Sequence, residues 1–180
     1  MIDITNKRAC LFGLPGSGKS KLLEHILGST KRHLIYDPMN EHSAFNRYVP
    51  TDRESIPELN NFVEKGVIAW RPKLFAIDEA NKYVRPKPTP LPSGLASLND
   101  FSRHWDIAWL SVARRPSQFH TDIVELCHYV FFFRLPGHND YKYMESLHRG
   151  LGDTVRALPK YHFAILEDGV NVTVHAPVPV

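Results

Sequence analysis

Residues 13–20, GLPGSGKS, combine the residue types that hold a chain of phosphates. They fit the pattern G-x-x-x-x-G-K-[ST], in which glycines let backbone N–H groups turn toward phosphate oxygens. Lys19 is expected to reach the β- and γ-phosphates, and the Ser20 hydroxyl to ligate Mg²⁺. The apolar run RACLF before the motif and the run KLLEHIL after it indicate a strand and a helix. The predicted nucleotide-contacting set is Gly13, Leu14, Pro15, Gly16, Ser17, Gly18, Lys19, Ser20 and Lys21.

Two acids, Asp78 and Glu79, follow the apolar run LFAI. A carboxylate at the end of a core strand is the second half of a phosphate-loop site. Asp78 is expected to hold Mg²⁺ through its water shell, and Glu79 to polarise a water toward the γ-phosphate. The alternative is an ordinary strand that ends in surface acids. Together with the phosphate loop, the pair favours hydrolysis of a nucleoside triphosphate by water.

The same acids narrow the class of protein. A small-molecule kinase must keep water from the γ-phosphate, so an adjacent glutamate that activates water is unsuited to it. A GTP switch needs the base-reading motif N-K-x-D, and NKYV at 81–84 lacks the aspartate. A transporter ATPase needs a stretch like L-S-G-G-Q, which LPSGL at 91–95 does not match. An ATPase that converts hydrolysis into movement remains.

Polar and basic residues lie in and after the apolar run DIAWLSV. Ser111, Arg114 and Arg115 could sense whether a γ-phosphate is present, because a neighbouring strand should end beside it. Placed across a subunit interface, an arginine could instead act as an arginine finger. A solvated turn is the alternative without a function.

The segment 84–94, VRPKPTPLPSG, has four prolines at alternate positions, which favour an extended solvated loop. Three basic residues lie in or beside it, and no acid occurs between Ala80 and Asn99. The segment is either a mobile insertion or a loop that contacts nucleic acid backbone, since exposed Lys and Arg suffice for that. We call Lys82, Arg85 and Lys87 the basic loop residues.

Short apolar runs alternate with helix-capable stretches, which predicts a mainly parallel sheet flanked by helices. The predicted strands are 9–13, 33–36, 67–70, 74–77, 107–112, 129–133, 161–166 and 170–175. The last two are expected to form an antiparallel hairpin around Asp168-Gly169. The predicted helices are 19–27, 57–65, 94–104, 118–126 and 141–147. The fold class is therefore α/β.

Composition agrees with one α/β domain over residues 1–180. Of the 180 residues, 43% are hydrophobic and 23% charged, and the net charge is +3, which permits an anionic partner without requiring one. No apolar run approaches the length of a membrane span, and the N-terminal residues lack a secretory signal. A cytoplasmic protein is expected, in the host cytoplasm if the gene is viral.

The order of several segments resembles the HerA/FtsK superfamily of DNA-pumping ATPases, including the genome-packaging ATPases of membrane-containing double-jelly-roll viruses. LIYDPMNEHS is similar to its second-strand segment, and LFAIDEANKYV to its Walker B strand. The stretch FSRHWDIAWLSVARRPSQ resembles its basic helix, fourth strand and Arg-Pro turn. HNDYKYMESLHRGLGDTVRALPKYHFAIL resembles the segment that leads to its C-terminal hairpin.

The resemblance implies a RecA-like phosphate-loop fold, ATP and Mg²⁺ as cofactors, and a pentameric or hexameric ring around double-stranded DNA. It also implies a capsid vertex or membrane protein as a partner in viral genome packaging. Arg103 fits the family's basic position before the fourth strand and is the first candidate for the arginine finger, with Arg114, Arg115 and Arg149 as rivals. The family usually has Thr-Gln before Arg-Pro, where this chain has Ala113 and Arg114. This departure alters the polar sensor.

Two other functions remain open at this point. One is a non-translocating NTPase that serves as an assembly or secretion factor of a phage or mobile element. The other is a small-molecule kinase, which Glu79 disfavours.

Overall fold

The computed structural model describes residues 3–179, whose strands form one eight-stranded sheet. The strand order is β3-β2-β4-β5-β1-β6-β7-β8. The strands are β1 Arg8–Phe12, β2 His33–Tyr36, β3 Arg47–Tyr48, β4 Leu74–Ile77, β5 Ala108–Ala113, β6 Tyr129–Phe133, β7 Phe163–Glu167 and β8 Asn171–His175. The helices are α1 Lys19–Gly28, α2 Ile56–Phe62, α3 Ile68–Trp70, α4 Ser93–Phe101, α5 Thr121–Glu125, α6 His138–Leu147 and α7 Leu151–Arg156.

Strands β1 to β6 pair in parallel, whereas β7 and β8 pair antiparallel at one side of the sheet. The predicted fold class, a mainly parallel sheet with a C-terminal antiparallel hairpin, is confirmed. The hairpin turns at Asp168 and Gly169, which both have positive φ, 49° and 71°. Positive φ at both central residues is typical of a two-residue hairpin turn whose twist matches that of the flanking strands.

The sheet is buried on both faces, as parallel strands in α/β proteins are. In β1, Cys10 and Phe12 pack into one hydrophobic cluster, while Ala9 and Leu11 pack into the other. Helix α1 covers the second face with four fully buried side chains, Leu22, Leu23, Ile26 and Leu27. Burying each such side chain contributes about 1.5–3 kcal/mol. This packing fixes the start of α1 at the end of β1.

The strand order puts β5 between β1 and β4. Leu11 in β1 is opposite Val112 in β5, and Ser111 in β5 is opposite Ile77 in β4. The carboxyl ends of these three parallel strands therefore meet at one edge of the sheet, which we call the carboxyl edge. The phosphate loop, Asp78 and Arg114 all follow these ends directly.

The predicted strand 67–70 is wrong. Residues 63–67 form a π-helical turn that continues α2 into α3, and the helix ends at Arg71 with φ 51°. Leu59, Val63 and Val67 lie four residues apart and are all fully buried. This helical spacing outweighs the local run of apolar residues.

Sequence reasoning also missed two short elements, the two-residue strand β3 and helix α7. Residues 161 and 162 lie before β7 rather than within it. None of the described helices has the length and apolar character needed to cross a membrane.

Candidate nucleotide-binding site

The phosphate loop connects β1 to α1 at the carboxyl edge. Gly16 and Gly18 have φ of 74° and 107°, a backbone region that favours glycine. A Cβ at Gly13 would lie 2.6 Å from the Ser17 Oγ, so this position is closely packed. The Ser17 Oγ is buried and has no hydrogen-bond partner among the described residues. A buried hydroxyl without a partner, inside a loop of this shape, fits a phosphate oxygen as its acceptor.

Lys19 lies at the first position of α1, and its Nζ donates to the Leu14 carbonyl oxygen at 3.1 Å. Burial lowers the pKa of Lys19, while the negative charges of Glu79 and Asp78 act in the opposite direction. The ammonium group of Lys19 is therefore close enough to both acids for their charges to act on it. The predicted loop and the predicted acids thus lie together at the carboxyl edge.

The two acids have different surroundings. Asp78 is 6% exposed, and its Oδ1 accepts a hydrogen bond from the Glu79 backbone N–H at 2.9 Å. Glu79 has φ 47°, a left-handed conformation that is uncommon for a residue other than glycine. Conformations of this kind are concentrated at functional sites. The turn buries Asp78 and leaves Glu79 partly exposed at the mouth of the site.

A buried histidine that sequence reasoning missed, His42, is hydrogen-bonded to Asp78. Its Nε2 lies 3.2 Å from the Asp78 Oδ2, and its Nδ1 lies 3.3 Å from the Glu24 Oε1 in α1. Its backbone N–H donates to the Asp37 Oδ2 at 2.9 Å. Burial acts to lower the pKa of His42, but the hydrogen bonds and charges of Asp78, Asp37 and Glu24 outweigh it, so the pKa is raised. His42 thus links α1, the segment after β2 and the end of β4.

Asp37 anchors this segment. Its Oδ1 accepts from the Glu41 backbone N–H at 3.1 Å, and no helix begins there in the described chain. An aspartate-led turn is therefore present, as the residues DPMN favour. No local sequence pattern indicates a role for His42, because its partners are distant in the chain.

The donor set at the carboxyl edge fits Mg²⁺. Mg²⁺ prefers oxygen ligands and keeps several waters. Asp78 supplies a carboxylate, and Ser20 supplies an exposed hydroxyl at the start of α1. The nearest ligand atoms of Asp37, His42 and Asp78 also lie within 4.8 Å of one another. Of the residues at this edge, Ser20 and Asp78 are the ones that would hold the ion beside a bound nucleotide.

The arginines after β5 have partners within the chain. Arg114 pairs with Glu79, with its Nη2 3.1 Å and its Nε 3.2 Å from the Glu79 Oε2. The Arg115 Nε lies 3.9 Å from the Asp140 Oδ2. The Ser111 Oγ is buried without a partner in the described chain. Arg114 is therefore the arginine that contacts the expected water-activating residue of its own subunit.

Arg103 lies at the opposite edge of the sheet, which we call the amino edge. It is exposed in the turn between α4 and the start of β5. It lies near His128, whose pKa is lowered by burial and by the positive charges of Arg8 and Arg103. The His128 backbone N–H donates to the Arg8 carbonyl oxygen at the start of β1. Arg103 therefore cannot contact the phosphate loop of its own chain.

The proline-rich segment is exposed over residues 85–90. Two of the basic loop residues are paired: Lys82 with Glu54 at 3.6 Å and Lys87 with Asp122 at 2.5 Å. Arg85 has no carboxylate partner among the described residues. Exposed pairs of this type are weak, at roughly 0.2–1 kcal/mol, so they leave the lysines available to a phosphate.

Comparisons with known proteins find solved structures that have a similar fold. No protein-family model and no curated protein sequence matches the chain. B204, the DNA-packaging ATPase from Sulfolobus turreted icosahedral virus, superposes with a TM-score of 0.85 at 17% identity, covering 98% of this chain and 100% of B204. The genome-packaging NTPase B204 from Sulfolobus turreted icosahedral virus 2, in complex with AMPPCP, gives 0.82 at 18% identity, with 98% and 100% covered.

The N-terminal domain of zonular occludens toxin from Neisseria meningitidis is a more distant match, with a TM-score of 0.65 at 10% identity over 97% of this chain and 95% of that domain. The resemblance to viral genome-packaging ATPases that the order of the sequence segments predicts is confirmed at the level of the fold. Over nearly its whole length, this chain has the fold of the B204 genome-packaging NTPases.

Proposed function

We propose that this protein is an ATP-driven double-stranded DNA translocase that packages a viral genome. The observation that carries the proposal is the carboxyl edge, where the phosphate loop faces a buried Asp78 and a partly exposed Glu79. The fold shared with B204 supports genome packaging as the process in which hydrolysis is used.

The residues of the site have separate tasks in hydrolysis. The loop N–H groups and Lys19 bind the phosphates, and the helix start of α1 adds its positive dipole end. Glu79 orients a water for attack on the γ-phosphate and accepts its proton. Ser20 and Asp78 would hold Mg²⁺, which would supply positive charge beside the phosphates. Arg114, which pairs with Glu79, is proposed to contact the γ-phosphate after leaving that carboxylate.

The proposed mode of DNA movement involves several copies of the chain. The proposal includes a homo-oligomeric ring, pentameric or hexameric, with the nucleotide sites at subunit interfaces. The exposed Arg103 at the amino edge would then complete the site of a neighbour as an arginine finger. The basic loop residues are proposed to contact the DNA backbone, and a capsid vertex or membrane protein to hold the ring in place.

The test is ATP hydrolysis by the purified protein, measured alone, with double-stranded DNA, and with candidate protein partners or phosphate acceptors. We expect DNA to stimulate the rate, and Glu79→Gln to abolish the stimulated rate while ATP still binds. Stimulation by a protein partner but not by DNA would favour the assembly or secretion factor. Transfer of the γ-phosphate to an acceptor would favour the kinase and contradict the proposal.

A further inference from the structure

An apolar cavity of about 260 Å³ lies beside the phosphate loop. Gly18 and Leu22 form its wall on α1, and Phe133 and Phe163 form its wall on β6 and β7. Residues 177–178 of the C-terminal tail also line it. The Phe133 and Phe163 rings lie 5.6 Å apart between centroids, so this wall is largely aromatic.

The strand order fixes which end of a nucleotide can reach this cavity. The γ-phosphate must lie toward Asp78 and Glu79, which follow β4 on one side of β1. The opposite end of the phosphate chain therefore points toward β6 and β7 on the other side of β1. The cavity is at this end, next to Gly18 and Lys21, where a nucleoside attached to the α-phosphate would leave the loop.

We propose that the cavity receives the base of the bound nucleoside triphosphate and that Tyr161 is its stacking wall. The inference rests on the proposed function, because it takes the phosphates to occupy the loop. An apolar cleft with aromatic walls suits a planar base, since every base offers a π-face for stacking.

The conformation of Tyr161 is unusual in a way that fits this role. Its φ is 66°, which is uncommon for a bulky residue, and 45% of the residue is exposed. Its ring approaches the loop so closely that a Cβ on Gly18 would lie 3.6 Å from the Tyr161 Cδ1. An exposed aromatic ring held in a strained backbone beside a phosphate loop is the kind of feature found at ligand clamps.

The chemistry of the walls predicts weak selection among bases. Apart from the Tyr161 hydroxyl, Lys21 is the one polar side chain that residues 3–179 place at the cavity, and its Nζ pairs with the Glu24 Oε2 at 3.0 Å. Strong discrimination requires fixed hydrogen-bonding groups opposite the base edge, whereas an apolar wall discriminates weakly. The ligand class is therefore nucleoside triphosphates in general, with dissociation constants for ATP and GTP within about tenfold of each other.

The test compares binding of ATP, GTP and inorganic tripolyphosphate, each with Mg²⁺, by calorimetry on the full chain. We expect Tyr161→Ala to weaken ATP binding about 5- to 100-fold, the range for loss of one stacked aromatic, and to change tripolyphosphate binding less than about twofold. Tyr161→Phe should bind both like the unaltered protein. Phe101→Ala removes an equally exposed aromatic ring outside the cavity and should also change neither.

The outcomes separate the two proposals. Unchanged ATP binding in Tyr161→Ala would overturn the base site while leaving the phosphate loop intact. Equal weakening of ATP and tripolyphosphate would mean that Tyr161 supports the loop and not the base, which also overturns it. A preference for ATP over GTP, or for GTP over ATP, of much more than about tenfold would refute the weak selection. If the unaltered protein binds neither ATP nor tripolyphosphate, the proposed function fails, and the base site fails with it.

Discussion

His42 should stabilise the metal-free protein in a pH-dependent way. Its side chain has no solvent exposure and lies between Asp78, Glu24 and the segment anchored by Asp37. His42→Ala removes the donor to the Asp78 Oδ2 and leaves the backbone N–H of Glu79 as the hydrogen-bond donor to that carboxylate among the described residues. A hydrogen bond to a charged group contributes about 1.5–3 kcal/mol, and we expect a loss of this size at pH 6.

The sign of the pH dependence follows from the direction of the pKa shift. The pKa of His42 is raised above its ordinary value of 6.5 by Asp78, Asp37 and Glu24, despite burial. The charged form is therefore stabilised in the folded state, fully so below about pH 6.5, and this stabilisation is lost as the pH rises through the folded pKa. Between the two pKa values the free energy of unfolding falls by at most about 1.4 kcal/mol per pH unit.

The assay is urea unfolding at pH 6 and pH 9 in EDTA, which keeps divalent ions away from Asp78. The stability difference between the unaltered protein and His42→Ala should be larger at pH 6. The exposed His104 provides the matched control, and His104→Ala should show a small difference that is the same at both pH values. A His42→Ala difference that is equal at both pH values, or larger at pH 9, would refute the charged histidine in this network.

Three further predictions concern ATP hydrolysis and DNA binding. Glu79→Gln should lower ATP hydrolysis by about 10²- to 10⁴-fold and retain ATP binding, and unchanged hydrolysis would remove Glu79 from its role. A mixture of Arg103→Ala and Lys19→Ala proteins should recover part of the hydrolysis that each lacks, if the arginine acts on a neighbour; inactive mixtures would count against it. Replacing the three basic loop residues with alanine should weaken DNA binding and flatten its salt dependence, by roughly 0.9 in the log–log slope per lost phosphate contact. The same slope in both proteins would refute the loop contact.

The sequence predicted the sheet well because most of its strands are buried on both faces and therefore appear as continuous apolar runs. The same signal failed at 67–70, where buried residues at helical spacing extend α2. It also failed for β3, because a strand of two residues, Arg47 and Tyr48, is too short to show an apolar run or an alternation of apolar and polar residues. Helix α7 has only six residues, and short helices are defined by their contacts more than by their own sequence.

In the site, the contiguous motifs could be predicted from the sequence, whereas contacts between residues far apart in the chain could not. The phosphate loop and the acid pair are contiguous motifs, so the pattern of residues alone marks them. His42 and Glu24 are 18 residues apart, and His42 and Asp78 are 36 apart. No local pattern links them, and the connection exists only because β2 and β4 are neighbours in the sheet. Arg114 and Glu79 meet for the same reason, across β4 and β5.

The positions of two of the candidate arginines connect the identity of the finger to the assembly. Arg114 lies at the carboxyl edge and already contacts Glu79, so it can serve its own nucleotide without any partner. Arg103 lies at the amino edge and can reach a nucleotide only when the amino edge of one copy faces the carboxyl edge of the next. Such a contact joins two different surfaces, and repeated copies form a ring when the rotation between neighbours closes and an open filament when it does not. Recovery of activity in the mixture of Arg103→Ala and Lys19→Ala would therefore support both the finger and the head-to-tail ring. A finger supplied by Arg114 alone would require neither Arg103 nor a head-to-tail ring.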